Sequence, residues 1–145
     1  MRTRSTARLL MVDDLVPDPR LGYGYSRCRA AIETLVALGV RIAFFPLRDA
    51  TLREPATSEL RALGVEVVER ERRWHRKPLS LSAYLGRRGQ RFSALWVSRP
   101  SNLRSTLRAL ERTRRPRALV YDAEAIDALR EARRLRVLGT PWPPE

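Results

Sequence analysis

Short apolar runs alternate with segments of helical periodicity along most of the chain, and this alternation constrains the fold more than any other feature. The run Arg8–Asp14 is apolar and ends in two acids, as expected of a parallel strand that is buried on both faces. The segment Ser26–Leu38 then places its apolar residues at helical spacing, with Ser26 as the expected N-cap and Gly39 as the C-terminal stop. The same succession of strand and helix repeats through the rest of the chain.

Strands and helices are predicted in strict alternation. The strands are expected at Arg8–Asp14, Val40–Phe45, Val65–Val68, Ser93–Val97 and Arg117–Tyr121. The helices are expected at Ser26–Leu38, Pro55–Leu63, Leu79–Arg88, Leu103–Thr113 and Ala125–Val137. Strands separated by helices form a parallel sheet with right-handed crossovers. The predicted fold class is therefore α/β: a Rossmann-like, doubly wound parallel sheet of about five strands in a three-layer sandwich.

The length of 145 residues corresponds to one domain. We expect an N-terminal tail at residues 1–7, the domain at 8–139, and a linker or truncation point at 140–145, where prolines prevent a helix. The lone Cys28 excludes a disulfide framework within the chain and a cysteine-based metal site. No apolar run approaches the roughly 20 residues of a membrane span, and the first residues lack a signal-peptide pattern. The expected location is the cytoplasm.

The net charge of +13 is the most prominent feature of the composition, and nearly all of the positive charge is arginine, because Lys77 is the only lysine. Such a charge is typical of proteins that bind nucleic acid or an anionic membrane surface. The arginines are spread along the chain rather than gathered in one block. This distribution argues against nucleic acid as a partner and leaves open a peripheral contact with anionic lipid at the inner membrane face.

The loop after the first strand is the first candidate for a ligand contact, because ligands of doubly wound sheets bind at the carboxyl ends of the strands. Gly22 and Gly24 lie just before the predicted helix, where a backbone without Cβ can approach a phosphate and the helix N-terminus favours an anion. A flexible turn with a helix cap is the alternative interpretation. The acids Asp13 and Asp14 resemble the metal-binding pair of receiver domains, but the third and fifth strands do not end in the aspartate and lysine which that function requires.

Two further polar segments follow the fourth and fifth strands. Arg99 can bind a phosphate or carboxylate bidentately, and Asn102 can cap the next helix or contact a ligand. Asp122 and Glu124 can orient sugar hydroxyls or serve as a general base. The alternative is that Asp122 caps the last helix and Glu124 complements its dipole.

The least regular segment is Arg70–Pro78, which we expect to be an exposed loop. It is rich in arginine and contains His75, the only histidine of the chain. No acid or serine is placed beside His75 by the sequence, so a catalytic role is not predicted for it.

Several motifs at the ends of the predicted strands occur together in one order. They are Val12–Pro17, Leu21–Arg27, Leu35–Val40, Phe45–Pro46, Trp96–Asn102, Tyr121–Ala125 and Leu129–Glu131. In this combination the chain, from Arg8 to about Gly139, resembles the N-terminal domain of bacterial family-4-type glycosyltransferases, which have the GT-B fold. It departs from the familiar form of the first loop at Ser26, where that form has proline.

The resemblance implies one half of a two-domain hexosyltransferase whose active site lies between two Rossmann-like domains. In such enzymes the N-terminal half binds the sugar or lipid-linked acceptor, the C-terminal half binds the nucleotide-sugar donor, and neither a metal nor another cofactor is required. The resemblance assigns substrate binding to the first loop, through Gly22, Gly24, Tyr25 and Arg27, and to the acceptor-side residues Arg99 and Asn102. It places Asp122 and Glu124 beside the reacting hydroxyl, as the catalytic candidates.

A second nucleotide-binding half does not fit within 145 residues. From the resemblance we therefore expect a domain that is catalytically incomplete alone and works with a C-terminal donor-binding domain or a partner chain. The alternative is a stand-alone Rossmann-like binding or scaffold module without catalytic activity.

Overall fold

A parallel five-stranded sheet forms the centre of the computed structural model, which describes residues 7–49, 51–71, 77–113, 116–123 and 127–139. The strands are β1 (Arg8–Asp13), β2 (Arg41–Pro46), β3 (Glu66–Val67), β4 (Ala94–Ser98) and β5 (Ala118–Asp122). The helices are α1 (Tyr23–Ala37), α2 (Ala56–Ala62), α3 (Leu81–Arg88), α4 (Pro100–Leu110) and α5 (Asp127–Val137). Short 3-10 helices occur at Pro19–Leu21 and Gly89–Arg91.

The strand order is β3-β2-β1-β4-β5, and all neighbouring strands are parallel. The first three strands of the chain form one half of the sheet, with β2 beside β1 and β3 at the edge. The chain then returns to the other side of β1, where β4 and β5 form the second half. The boundary between β1 and β4 is therefore the topological switch point, where a doubly wound sheet opens a crevice at the carboxyl ends of its strands. The predicted Rossmann-like α/β fold is confirmed.

Helices cover both faces of the sheet, and each face has its own hydrophobic core. On one face Leu10 and Val12 of β1 pack in a cluster with residues of α3 and α4. On the other face Leu9 and Met11 pack in a cluster with residues of α1 and α2. The adjacent Phe44 and Phe45 of β2 are both fully buried, one in each cluster. Burial on both faces explains why these strands are continuous apolar runs rather than alternating patterns.

Two helices begin earlier than the sequence pattern predicts. Helix α1 begins at Tyr23 rather than at Ser26, because Gly22 adopts a φ of 133° and takes the N-cap position itself. Helix α4 begins at Pro100 rather than at Leu103, and a proline suits a first helical turn since its missing N–H would have no partner there. The predictions of a cap at Ser26 and of a capping role for Asn102 are therefore wrong.

The start of the predicted exposed loop, Arg70, is instead half-buried. Its guanidinium donates hydrogen bonds to the carbonyl oxygens of Leu79 at 2.9 Å and Pro46 at 3.1 Å, and lies 5.5 Å from the centre of the Phe45 ring. Burial lowers the pKa of Arg70 from its ordinary value. This side chain ties the end of β2 to the segment that leads into α3.

Several predicted features lie outside the described residues: His75, Glu124, most of the N-terminal tail and the segment 140–145. Within the ranges that the structure describes, no helix has the length and apolar character needed to cross a membrane.

Truncation of Phe44 tests whether the sheet depends on both cores. We expect Phe44→Ala to lower the free energy of unfolding by about 3–5 kcal/mol, because it removes a fully buried ring and leaves a cavity. Urea denaturation followed by circular dichroism measures this change. The matched control is Leu38→Ala, at a side chain that is 74% exposed, which should change stability by less than about 0.5 kcal/mol. A loss below about 1 kcal/mol for Phe44→Ala would contradict the two-core description.

Candidate functional site

Polar side chains from three neighbouring strands meet at the carboxyl edge of the sheet, on either side of the switch point. Asp13 ends β1, Arg99 directly follows β4, and Asp122 ends β5. The backbone N–H of Arg99 donates to the carbonyl oxygen of Asp122 at 3.0 Å. This hydrogen bond fixes the distance between the carboxyl ends of β4 and β5. The fold therefore places the polar residues of distant sequence segments in one site.

The carboxylate of Asp13 is the most buried charge of this site, with 1% of the residue exposed. Its Oδ1 accepts a hydrogen bond from the side-chain amide of Asn102 at 3.1 Å and lies 3.0 Å from Nε of Arg99. The same oxygen accepts from the backbone N–H of Asp14 at 2.7 Å. A buried carboxylate requires such partners, because its desolvation costs several kcal/mol. Asp13 thus binds β1 to α4 and to the end of β4.

Arg99 connects Asp13 and Asp14 to the first turns of α1. Its Nη1 lies 3.8 Å from Oδ2 of Asp14, and its guanidinium carbon lies 4.5 Å from the centre of the Tyr25 ring. The backbone of Arg99 has a φ of 76° and a ψ of 143°, a region that only glycine adopts without strain. Such strain persists only where surrounding interactions hold the residue in place, and it occurs most often at functional sites.

The Tyr25 hydroxyl remains protonated at neutral pH. Burial raises the pKa of Tyr25 above its ordinary value of 10.0, while the positive charge of Arg99 opposes this shift and the charges of Asp14 and Asp13 reinforce it. A protonated phenol donates one hydrogen bond and accepts others. Tyr25 therefore offers the site an amphipathic ring beside a guanidinium, and a hydroxyl.

A second ion pair joins α1 to β5. The Arg27 guanidinium donates to Oδ1 of Asp122; the arginine side chain is 47% exposed and the aspartate side chain 13%. On the opposite side of the site, Nε of Arg48 lies 3.5 Å from Oδ1 of Asp14. Ion pairs of this kind leave donor atoms of the exposed guanidinium available to a ligand, since a guanidinium has five N–H groups.

Gly22 and Gly24 have different structural roles. Gly22 is the N-cap of α1, and its positive φ favours glycine although open space surrounds it. Gly24 lies within the first turn of the helix instead of in the preceding loop. The N–H of Tyr25 in this turn donates to the carbonyl oxygen of Gly22 at 3.2 Å, whereas the first N–H groups of a helix have no partners within it, so this end of α1 is suited to an anionic group.

The structure brings together five of the predicted site residues: Tyr25, Arg27, Arg99, Asn102 and Asp122. Asn102, which was expected to contact a ligand, is 4% exposed, and its amide donates to Asp13 and to the carbonyl oxygen of Ser98. It therefore positions the carboxylate of Asp13.

Three residues of the site were missed by the sequence analysis, namely Asp13, Asp14 and Arg48. The signal for the first two was present, because paired acids that end a buried strand require cationic partners. The comparison with receiver domains excluded a receiver-type metal site at Asp13 and Asp14, but it did not exclude ion pairs between these acids and arginines. The signal for Arg48 was absent, since nothing in its neighbourhood distinguishes it from other exposed arginines.

The chemistry of this site is that of hydrogen bonding and charge. Within the described part of the chain, no group of three or more histidine, cysteine or acidic side chains is arranged to hold a metal ion. Cavities of about 360 Å³, beside β3 and α3, and about 420 Å³, between α4 and the start of β5, lie elsewhere. The site is an open polar rim that can bind hydroxyl, phosphate or carboxylate groups.

Comparison of the chain with protein-family models, with curated proteins and with solved structures finds no match.

Two substitutions of Arg99 distinguish the contribution of its charge to stability from the cost of its strained backbone. Arg99→Ala is expected to destabilise the fold by about 3 kcal/mol, because the buried Asp13 loses a cationic partner and the strained φ remains. Arg99→Gly loses the same partner but relieves the strain, and it should be about 1 kcal/mol more stable than Arg99→Ala. Chemical denaturation of both variants checks the order. Equal stabilities, or a less stable glycine variant, would contradict the strain.

Proposed function

We propose that this chain is the acceptor-binding half of a GT-B-type glycosyltransferase, which transfers a sugar from a nucleotide-sugar donor. The observation that carries the proposal is the convergence of Tyr25, Arg27, Arg99 and Asp122 at the switch point of the sheet. These residues come from three of the motifs on which the resemblance to such enzymes rests.

The composition of the rim supports a hydroxyl-rich acceptor. Sugars present alternating donors and acceptors on one ring, and they are bound by planar polar side chains together with an aromatic face. The Arg27–Asp122 pair supplies a donor and an acceptor side by side, and the ring of Tyr25 lies nearby against Arg99. The first turn of α1, beginning after Gly22, would face the diphosphate of the donor.

Asp122 is the described residue proposed to contact the reacting hydroxyl. Its carboxylate is mostly shielded from solvent and is held by Arg27, so its position is fixed before an acceptor binds. Fixed acceptors orient a hydroxyl for attack with little loss of entropy. Glu124 is proposed as the second catalytic carboxylate; the donor-binding residues would come from a C-terminal half or a partner chain.

Binding of polyols to the chain tests the proposal without requiring the donor half. We expect methyl glucoside, methyl mannoside or myo-inositol to shift the backbone amide signals of Tyr25, Arg27 and Arg99 in ¹H–¹⁵N spectra, and UDP-glucose to shift them less. Asp122→Asn should weaken binding about tenfold, as expected for the loss of a hydrogen bond to a charged acceptor. The matched control is Asp49→Asn, which removes another aspartate that is paired with an arginine at 3.0 Å, and it should leave binding unchanged.

Absence of binding across these polyols, or equal effects of the two aspartate variants, would contradict acceptor binding at this rim. Transfer from radiolabelled UDP-glucose or GDP-mannose to the bound polyol is expected once a donor-binding half is added. Polyol binding that never leads to transfer would contradict the enzymatic part of the proposal and support a non-catalytic binding module.

A further inference from the structure

The turns that lead from the helices into the strands lie together at the amino edge of the sheet, opposite the candidate site. In a doubly wound fold every crossover helix runs antiparallel to the strands, so each helix ends where the next strand begins. The starts of β1, β2 and β4 lie side by side, since the N–H of Arg41 donates to the carbonyl oxygen of Ala7 at 3.0 Å and the N–H of Ser93 donates to that of Arg8 at 2.8 Å.

This amino edge collects arginines that are far apart in the chain. Described arginines in its turns and at its strand starts are Arg8, Arg41, Arg88, Arg91, Arg112 and Arg117. The last turns of α3 and α4 add the exposed Arg87 and Arg108. The acids described in the same turns are Glu66, which pairs with Arg8 and Arg88, and Glu111. The edge therefore carries a strong excess of positive charge.

Among the residues that the structure describes, the carboxyl edge is also rich in arginine, but there the arginines are accompanied by acids. Five described aspartates there lie within 4.0 Å of a guanidinium: Asp13 and Asp14 of Arg99, Asp18 of Arg20, Asp49 of Arg53 and Asp122 of Arg27. By contrast, Arg41, Arg91, Arg112 and Arg117 of the amino edge form no ion pair with any acid that the structure describes. Within the described part of the chain, arginines that are dispersed in the sequence are thus gathered without acidic partners at the amino edge.

Exposed leucines accompany these arginines. Leu38, the C-cap of α1, is 74% exposed; Leu107 near the end of α4 is 44% exposed, and Leu119 near the start of β5 is 41% exposed. The described aromatic ring of this edge, Phe92, is buried under the guanidinium of Arg8 and is not available for stacking on a base. Cationic and aliphatic side chains together match a lipid interface, which offers anionic headgroups above an apolar layer.

We propose that the amino edge binds the surface of a bilayer that contains anionic phospholipids, and that the candidate site is then directed toward the aqueous side. Electrostatic attraction acts over about a Debye length, so the unpaired guanidinium groups draw this edge to the membrane, where the leucines enter the headgroup layer. Because the candidate site lies at the other end of the strands, its ligand reaches it from solution.

Nucleic acid is the alternative anionic partner, and the exposed leucines of the amino edge favour a membrane instead. A phosphate backbone gains nothing from exposed aliphatic side chains, whereas their entry into a bilayer removes apolar surface from water. Binding to a membrane should therefore depend on both the arginines and the leucines, while binding to a nucleic acid should depend on the arginines alone.

Co-sedimentation of the full chain with vesicles tests the proposal. Vesicles of phosphatidylcholine with about 30% phosphatidylglycerol should bind the protein, and pure phosphatidylcholine vesicles should not. The double variant R112Q/R117Q is expected to bind about 30-fold more weakly, because each basic side chain at an anionic surface contributes roughly fivefold. The variant L38Q should also weaken binding, and glycerol 1-phosphate should fail to compete, since a single headgroup lacks the apolar layer.

The matched control is R20Q/R53Q, which removes the same charge from two exposed arginines of the carboxyl edge. It should bind vesicles within about twofold of the unchanged protein, since screening limits the contribution of distant charges. All variants change exposed residues, and their unchanged thermal melting would show that they fold. The polyol-binding test is independent of this one, so either proposal can fail alone.

Equal weakening by the two arginine double variants would overturn the assignment of this face. Failure to bind the anionic vesicles would overturn the proposal itself. Tighter binding to a duplex DNA than to the vesicles, with no effect of L38Q, would likewise overturn it and identify a nucleic acid as the partner.

Discussion

The inner strands β1, β2 and β4 are covered by helices or packed neighbours on both faces, so charged side chains find room only where the strands begin and end. A parallel sheet of this kind cannot expose one face to water, as an antiparallel sheet can. With 31% charged residues, the chain must therefore carry its charges on the outer helix surfaces and at the two edges of the sheet. The candidate site and the basic amino edge are both consequences of this constraint.

At the carboxyl edge, the buried acids Asp13 and Asp14, at and just after the end of β1, determine what the other residues do. Asp13 requires a cation and a hydrogen-bond donor, and the segment after β4 supplies both through Arg99 and Asn102. The strained φ of Arg99 is consistent with this demand, because the residue must turn toward Asp13 while its N–H remains bonded to β5. The exposed part of the rim, Tyr25 and Arg27, is thereby held at a fixed distance from the strand ends.

Much of the fold could be predicted from the sequence, because the periodicities of buried strands and amphipathic helices are local properties. The start of α1 could not be predicted, since it depends on the φ that Gly22 adopts, and Ser26, four residues later, gave the stronger cap signal. The role of Asn102 was also hidden: its partner, Asp13, is 89 residues away in the sequence. The same applies to the charge of the amino edge, whose arginines are separated in the sequence and meet only through the strand order.

The organisation of the candidate site depends most directly on the coupling between Asp13 and Arg99. A double-mutant cycle with Asp13→Asn, Arg99→Gln and the combined variant, followed by chemical denaturation, measures that coupling without reference to any ligand. A buried, mutually dependent pair predicts a coupling free energy of about 2 kcal/mol, with the double variant more stable than the sum of the single effects. Additive effects within about 0.5 kcal/mol would show that the two residues act independently, and would contradict a site organised around this ion pair.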